Sequence, residues 1–183
     1  MNKTVKYALF LIILGIIAGG LLAAVNSFTA PIIEERQKQA VINALGEHFD
    51  YEDYSLDQAP KYPKRNQNIK AIYFGFDEDG KLAAVIYQIS RKGYGGPVVS
   101  LVGIKVDGTF DNVAVVEAVN ETSGIGTQVL EFDFGVNNES VDSYSYNTIS
   151  GATVSSEAVV FGIDDAVAHF NTIKGELGGI TNE

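Results

Sequence analysis

Three short stretches carry residue types that bind or react: Gly93-Tyr94-Gly95-Gly96-Pro97, Glu121-Thr122-Ser123-Gly124-Ile125-Gly126 and Ser150-Gly151-Ala152-Thr153-Val154-Ser155-Ser156. Each falls where a regular element ends, which is where rigid scaffolds present functional groups. The third runs into a helical pattern, and two readings of it stay open. Ser150 or Thr153 can serve as an ordinary cap on free backbone N–H groups. Alternatively those N–H groups and the helix dipole hold a phosphate, with a threonine hydroxyl placed to bond it or be esterified by it. Gly95, Gly96 and Gly124 allow backbone to approach a planar ligand closely. Tyr94 is either a stacking ring or a plain strand-end aromatic.

Other chemistries lack their residues. With no cysteine, disulfides, zinc ribbons, thiolate-held clusters and cysteine nucleophiles are excluded. His48 and His169 are far apart, form no metal-ligand spacing and read as helix-surface residues. Asp77, Glu78 and Asp79 form a turn, because a calcium loop would need a later glutamate. No GxGxxG leads from a strand into a helix, so no NAD site is expected. No catalytic side chain and no metal site is assigned. The net charge of −10, with a pI near 4.6, leaves no basic footprint for nucleic acid.

The chain has 183 residues, enough for one ordinary domain, and its 46% hydrophobic and 20% charged content is that of a folding chain. The apolar residues are unevenly spread. No charge occurs from Tyr7 to Ile33. The nearly wholly apolar Tyr7–Val25 would span roughly 28 Å as a helix, close to a bilayer's hydrocarbon thickness. Residues 7–28 are therefore expected to cross a membrane, after a cytoplasmic segment 1–6 and before an extracytoplasmic domain 29–183. Lys3 and Lys6 set this orientation through the positive-inside rule. A cleaved leader is the rival, but Ala23-Ala24-Val25-Asn26-Ser27 matches an A-x-A site poorly. All 23 acids and 11 of the 13 bases follow the apolar stretch, giving that part a charge of −12.

Downstream, Pro31 is expected to end the membrane helix, and Ile33–Phe49 reads as a second helix. Residues 50–68 read as a loop with Pro60 and Pro63. Strands follow at Ile69–Asp77, Lys81–Ser90, Val98–Val106 and Val113–Val119, with turns at Asp77-Glu78-Asp79-Gly80 and Asp107-Gly108, a meander with antiparallel pairing. Thr127–Phe134 begins as a short helix. Residues 154–173 form a helix whose apolar face holds Val159, Val160, Ile163, Val167 and Phe170, leaving Asp164 and Asp165 to water. The tail from Gly175 to Glu183 is expected to fray. The class is α+β.

Ser150–Ser156 resembles the flavinylation motif of the FMN-binding domain family. That family includes the G subunits of Rnf electron-transport complexes and the C subunits of sodium-pumping NADH:quinone reductases. GYGGPV at Gly93–Val98 and ETSGIG at Glu121–Gly126 resemble the same family in the same order. Asn26-Ser27-Phe28-Thr29-Ala30-Pro31, after the apolar helix, is similar to the N-terminus of the Rnf G subunits. The resemblance covers nearly the whole chain, and chain length and the N-terminus favour the Rnf branch. It implies an antiparallel-sheet FMN-binding domain with flanking helices, after one transmembrane helix. It also implies FMN bonded through its phosphate to the Thr153 oxygen, within a motif that includes Ser150, Gly151 and Ala152. Ser155 and Ser156 would bond the phosphate or complete the helix cap. Glu121 and Thr122 would contact the flavin or its phosphate, and Tyr144 and Tyr146 would line the pocket or the core. Asn147 stands where the family usually has an acid, and Ser123 where it often has a proline.

The function so implied is electron transfer in a membrane-bound, ion-translocating Rnf-type ferredoxin:NAD oxidoreductase of the cell (inner) membrane. Covalent FMN would be the one-electron relay, other membrane and peripheral subunits the partners, and a flavin transferase the maturation enzyme. Two alternatives are a membrane-anchored module without cofactor and a stand-alone flavoprotein that passes electrons to an extracellular acceptor.

Overall fold

An apolar run with no charge and few breakers has one stable form in a bilayer, a helix that satisfies its own backbone. The computed structural model describes residues 3–55 and 57–181 and divides into two compact units after Asn43. Residues 1 and 2 of the expected cytoplasmic segment lie outside the described residues. Helix α1 runs unbroken over Lys3–His48. Its 25-residue stretch Lys6–Ala30 is long and apolar enough to cross a membrane. The hydroxyls of Ser27 and Thr29 donate to the carbonyls of Ala24 and Val25, at 2.8 and 3.0 Å, so neither needs an outside partner. The expected break at Pro31 is not found. A proline withdraws one donor from the helix ladder, a loss that a 46-residue helix absorbs.

The second unit is built on a five-stranded antiparallel meander in the order β1-β2-β3-β4-β5. The strands are β1 (Asp53–Tyr54), β2 (Ile69–Phe76), β3 (Leu82–Lys92), β4 (Pro97–Lys105) and β5 (Phe110–Glu117). Four were expected. β1 falls inside the expected loop, where Glu52 and Ser55 donate backbone N–H groups to Phe76 and Phe74. Aspartates close the two tight turns: Asp77 Oδ1 accepts from the N–H groups of Asp79 and Lys81, and Asp107 Oδ1 accepts from Thr109. The Thr109 hydroxyl also donates to Asp107 and holds its carboxyl below the usual range.

Period-two alternation sends Val85, Tyr87 and Ile89 of β3 and Val102 and Ile104 of β4 to one face, all fully buried. Helix α2 (Thr153–Ile173) covers that face. Gly162 lets it lie close to β3: a Cβ there would already stand 3.3 Å from Ile89. Ile163 and Phe170 of α2 are buried in the same core, each contributing about 1.5–3 kcal/mol by area. On the other face, Phe49 fills the space above Gly103, where a Cβ would come within 2.3 Å of its ring. Tyr54 holds that corner, donating its hydroxyl to the Phe49 and Leu45 carbonyls at 2.6 and 3.1 Å.

α2 buries 12 of its 21 residues, so its inner face is wider than the expected stripe. Three expectations change as a result. His169 is buried, with Nδ1 3.3 Å from the Tyr87 hydroxyl and its ring edge-on to Tyr62, and burial pushes its pKa down. Asp165 does not face water but accepts from Arg91 (2.5 Å), Asn66 (2.7 Å) and Asn68 (3.0 Å), fastening α2 to β3 and the loop before β2. Asp164 accepts the Tyr144 hydroxyl at 2.6 Å, and Tyr144 packs edge-on against Phe110 in the core. Tyr146 is exposed. The tail is also held, because Leu82 donates its N–H to the Ile180 carbonyl and Leu177 is buried. Residues 182 and 183 lie outside the described residues. His48 is exposed, as expected.

Candidate functional site

The meander brings two of the three stretches together. Residues 93–96 join β3 to β4 at one end of the sheet, and residues 106–109 join β4 to β5 at the other. β5 therefore returns to the first end, and the chain leaving it is 118–126. The third stretch opens α2 at the same end.

Glu121 ties the three together. Its side chain is buried, at 6% exposure. Oε1 accepts the Gly95 N–H at 3.0 Å, and Oε2 accepts the Ser155 hydroxyl at 2.5 Å. The surrounding glycines make room for this arrangement. A Cβ on Gly93 would stand 2.4 Å from Glu121 Oε1, and one on Gly126 2.6 Å from Oε2. A Cβ on Gly95 would stand 1.7 Å from the Asn120 carbonyl oxygen, and one on Gly96 2.8 Å from Asn120 Cβ. Gly95 and Gly96 thus admit the 120–121 segment, not the planar ligand expected of them. Gly124 has open space around it and is required by its φ of +74° in the turn.

The start of α2 departs from the expected cap. Ala152 holds the N-cap position, and no side chain caps the helix. Ser156 is fully buried, accepting the Ile149 N–H and donating to the Ala152 carbonyl, both at 3.0 Å. Its hydroxyl is spent inside and is not open to a ligand. The first N–H to find an acceptor within the helix is that of Ser156, on Ala152, so the N–H groups of Thr153, Val154 and Ser155 have none there. Thr153 and Val154 are exposed beside them.

A cavity of about 530 Å³ opens between the three stretches. Tyr94 forms one wall. Glu121, Thr122, Ile125 and Gly126 form a second, and Gly151 to Ser155 the third. Ser150, Gly95, Gly96, Gly124 and Ser156 do not line it. Ile125, Gly126 and Val154 line it too, inside two of the three stretches but with no individual binding role expected of them. For Ile125 and Val154 the sequence signal is an apolar residue in a polar loop or helix start, and both are about half exposed. Among the described residues no cluster of His, Asp or Glu could hold a metal. Asn147 donates its N–H to the Phe134 carbonyl, and its side-chain amide lies over Gly135.

Residues 93–168 match the FMN-binding domain family, and residues 1–47 match the RnfG N-terminal region. The chain is similar to RnfG proteins in both of these parts. The FMN-binding domain match takes in all three loops, β4, β5 and most of α2, and leaves β1, β2 and β3 outside it. Relatives align over most of the chain. The G subunit of the Pseudomonas aeruginosa ion-translocating oxidoreductase complex is 29% identical, over 96% of this chain and 92% of its own length. The G subunit of the Clostridium ljungdahlii proton-translocating ferredoxin:NAD(+) oxidoreductase complex is 27% identical, over 87% of each. The G subunit of a Vibrio cholerae ion-translocating oxidoreductase complex is 26% identical, over 94% of this chain and 92% of its own. The likeness to RnfG takes in both units of the fold: an apolar N-terminal helix, and a domain whose three loops meet at one cavity.

Proposed function

We propose that this chain is the electron-transfer subunit of a membrane-bound, ion-translocating Rnf-type ferredoxin:NAD oxidoreductase, holding FMN covalently through a phosphoester on Thr153. Residues 7–28 would cross the membrane, with segment 1–6 in the cytoplasm and 29–183 outside. Partner membrane and peripheral subunits would exchange electrons with the domain, and a flavin transferase would mature it.

One observation carries the reading: an exposed threonine hydroxyl beside uncapped helix N–H groups, on the wall of a cavity of about 530 Å³. The residues present fit FMN. The cavity is within the roughly 300–1,000 Å³ range of ligand sites. The N–H groups of Thr153, Val154 and Ser155, with the positive end of the α2 dipole, suit a phosphate diester. Tyr94, Ile125 and Val154 offer apolar surface to a flat ring. When bound, FMN supplies reversible one-electron transfer, which no side chain here could provide. The chain's own work is to hold, orient and shield. Thr153 needs no activating base in the chain, because the esterification belongs to the transferase. A covalent tether also prevents loss of the group by dilution outside the cytoplasm.

The test is co-expression with a flavin transferase, denaturation, and fluorescence of the protein band with peptide mass analysis. The expected adduct is one FMN less a water on the peptide holding Thr153. Thr153→Val should abolish it without lowering the melting temperature, since the hydroxyl is exposed and caps nothing. An adduct on another peptide, or flavin that survives denaturation in Thr153→Val, refutes the assignment.

A further inference from the structure

Glu121 is a carboxylate placed where an uncharged side chain could do the same joining. Both its oxygens accept from neutral donors, the Gly95 N–H and the Ser155 hydroxyl. Among the described residues no lysine or arginine pairs with it. It is 6% exposed and lines the same cavity as Thr153 and Ser155. Two glycines, Gly93 and Gly126, leave room for its oxygens. A buried charge without a counterion is costly, and a glutamine at the same place would make two hydrogen bonds without that cost. The extra cost of the charge calls for a function that depends on charge.

We propose that Glu121 is a positioning residue whose negative charge lowers the reduction potential of the flavin held in this cavity. The proposal rests on the FMN reading above. Adding an electron to the flavin adds negative charge to the cavity that Glu121 lines. A fixed, buried carboxylate in the wall disfavours that charge more than a solvent-exposed one would. Ser155 and Gly95 keep the carboxylate in place, so its effect is constant and not averaged over rotamers.

The experiment is a reductive titration, with the electron supplied by dithionite, of full-length flavinylated protein in detergent, followed by visible absorbance. Glu121→Gln keeps the size and removes the charge. It should favour uptake of the first electron by about tenfold, an upward shift of about 59 mV. Glu121→Asp keeps the charge and should stay near the wild-type potential. Ser155→Ala removes one hydrogen bond but not the charge; it should lower the melting temperature and leave the potential low. A purely structural Glu121 would instead make Ser155→Ala and Glu121→Gln behave alike. Loaded Glu121→Gln with an unchanged potential overturns the proposal. Glu121→Ser is a second neutral side chain if the glutamine variant fails to load. Folded protein that loads with neither overturns the proposal in favour of a role in attachment. Wild-type protein without flavin, despite an active transferase, brings down the FMN reading and this inference with it.

Discussion

Gly95→Ala tests the loop convergence on which the site depends. The added Cβ would lie 1.7 Å from the Asn120 carbonyl oxygen and 2.7 Å from its carbon. These are backbone atoms, so no rotamer change relieves the clash. Either residues 93–96 or the 118–122 segment must retreat by more than an ångström. Overpacking of this kind costs about 1–3 kcal/mol. The same retreat breaks the hydrogen bond from Gly95 to the buried Glu121 carboxylate, a further ~1.5–3 kcal/mol. The sum of roughly 3–6 kcal/mol is a large part of the 5–15 kcal/mol that holds an ordinary domain together. At about 3–4 °C per kcal/mol for a unit of this size, the melting temperature should fall by roughly 10–20 °C. Near-UV circular dichroism of the full chain in detergent is the suitable assay. There is no tryptophan, and eight of the nine tyrosines follow residue 43, so the signal reports the second unit and not the long helix. Gly124→Ala is the control. It meets open space and only the strain of φ +74°, about 1–2 kcal/mol, and should cost roughly 3–8 °C. Gly95→Ala melting within a few degrees of the native chain, or above Gly124→Ala, would refute the close approach of the two loops.

Further predictions follow from contacts elsewhere. Asp165→Ala leaves Arg91, Asn66 and Asn68 without their shared acceptor and should cost ~2–4 kcal/mol, read as a lower melting temperature. Burial lowers the pKa of His169 below the ordinary 6.5, so the unfolded chain takes a proton at a higher pH than the folded one. Stability is fully present above 6.5 and declines as pH falls from there to the lowered folded value. His169→Leu should flatten that part of the melting-temperature curve, and an identical curve would show that another group titrates. Thr153→Ser keeps a hydroxyl at the start of α2 and should retain some covalent flavin, where Thr153→Val retains none, by fluorescence of the denatured band.

What could be read from the sequence followed the strength of the local signals. Asp79-Gly80 and Asp107-Gly108 are turn dipeptides between alternating apolar runs, and the four long strands came out within about three residues of their ends. β1 has only two residues, Asp53 and Tyr54, and carries no alternation that could be seen. The local preference of Pro31 is to end a helix, and the long helix overrides it. A narrow apolar stripe would leave His169 and Asp165 facing water. A helix pressed onto a twisted sheet and wrapped by loops buries more than one stripe, and Gly162, Ala166, His169 and Ile173 form its second row. At the site, the three stretches were legible as chemistry, but the work of the glycines was not. Only the fold reveals that Gly93 and Gly126 are small because Glu121 occupies the space where their side chains would be.

The convergence of the loops has a topological cause that is independent of any family. In an antiparallel meander, alternate connections lie at the same end of the sheet. The β3–β4 link and the exit of β5 are separated by one strand pair, so Gly93–Gly96 and 118–126 must share an end whatever their sequences. The connection between them, 106–109, is free to be a minimal turn at the far end. Residues 127–152 then carry the chain to the shared end, where Ser155 in the first turn of α2 meets Glu121. The fold therefore supplies the meeting place and the residues supply the chemistry. An acid at the exit of β5 can reach both neighbours only where they carry a free N–H and a hydroxyl, and Gly95 and Ser155 carry these. Moving Glu121 one residue along would turn its side chain away from both, while the strands and the helix would stay as they are. The site is thus fixed less by the sheet than by a single carboxylate at the one place where three chain segments meet.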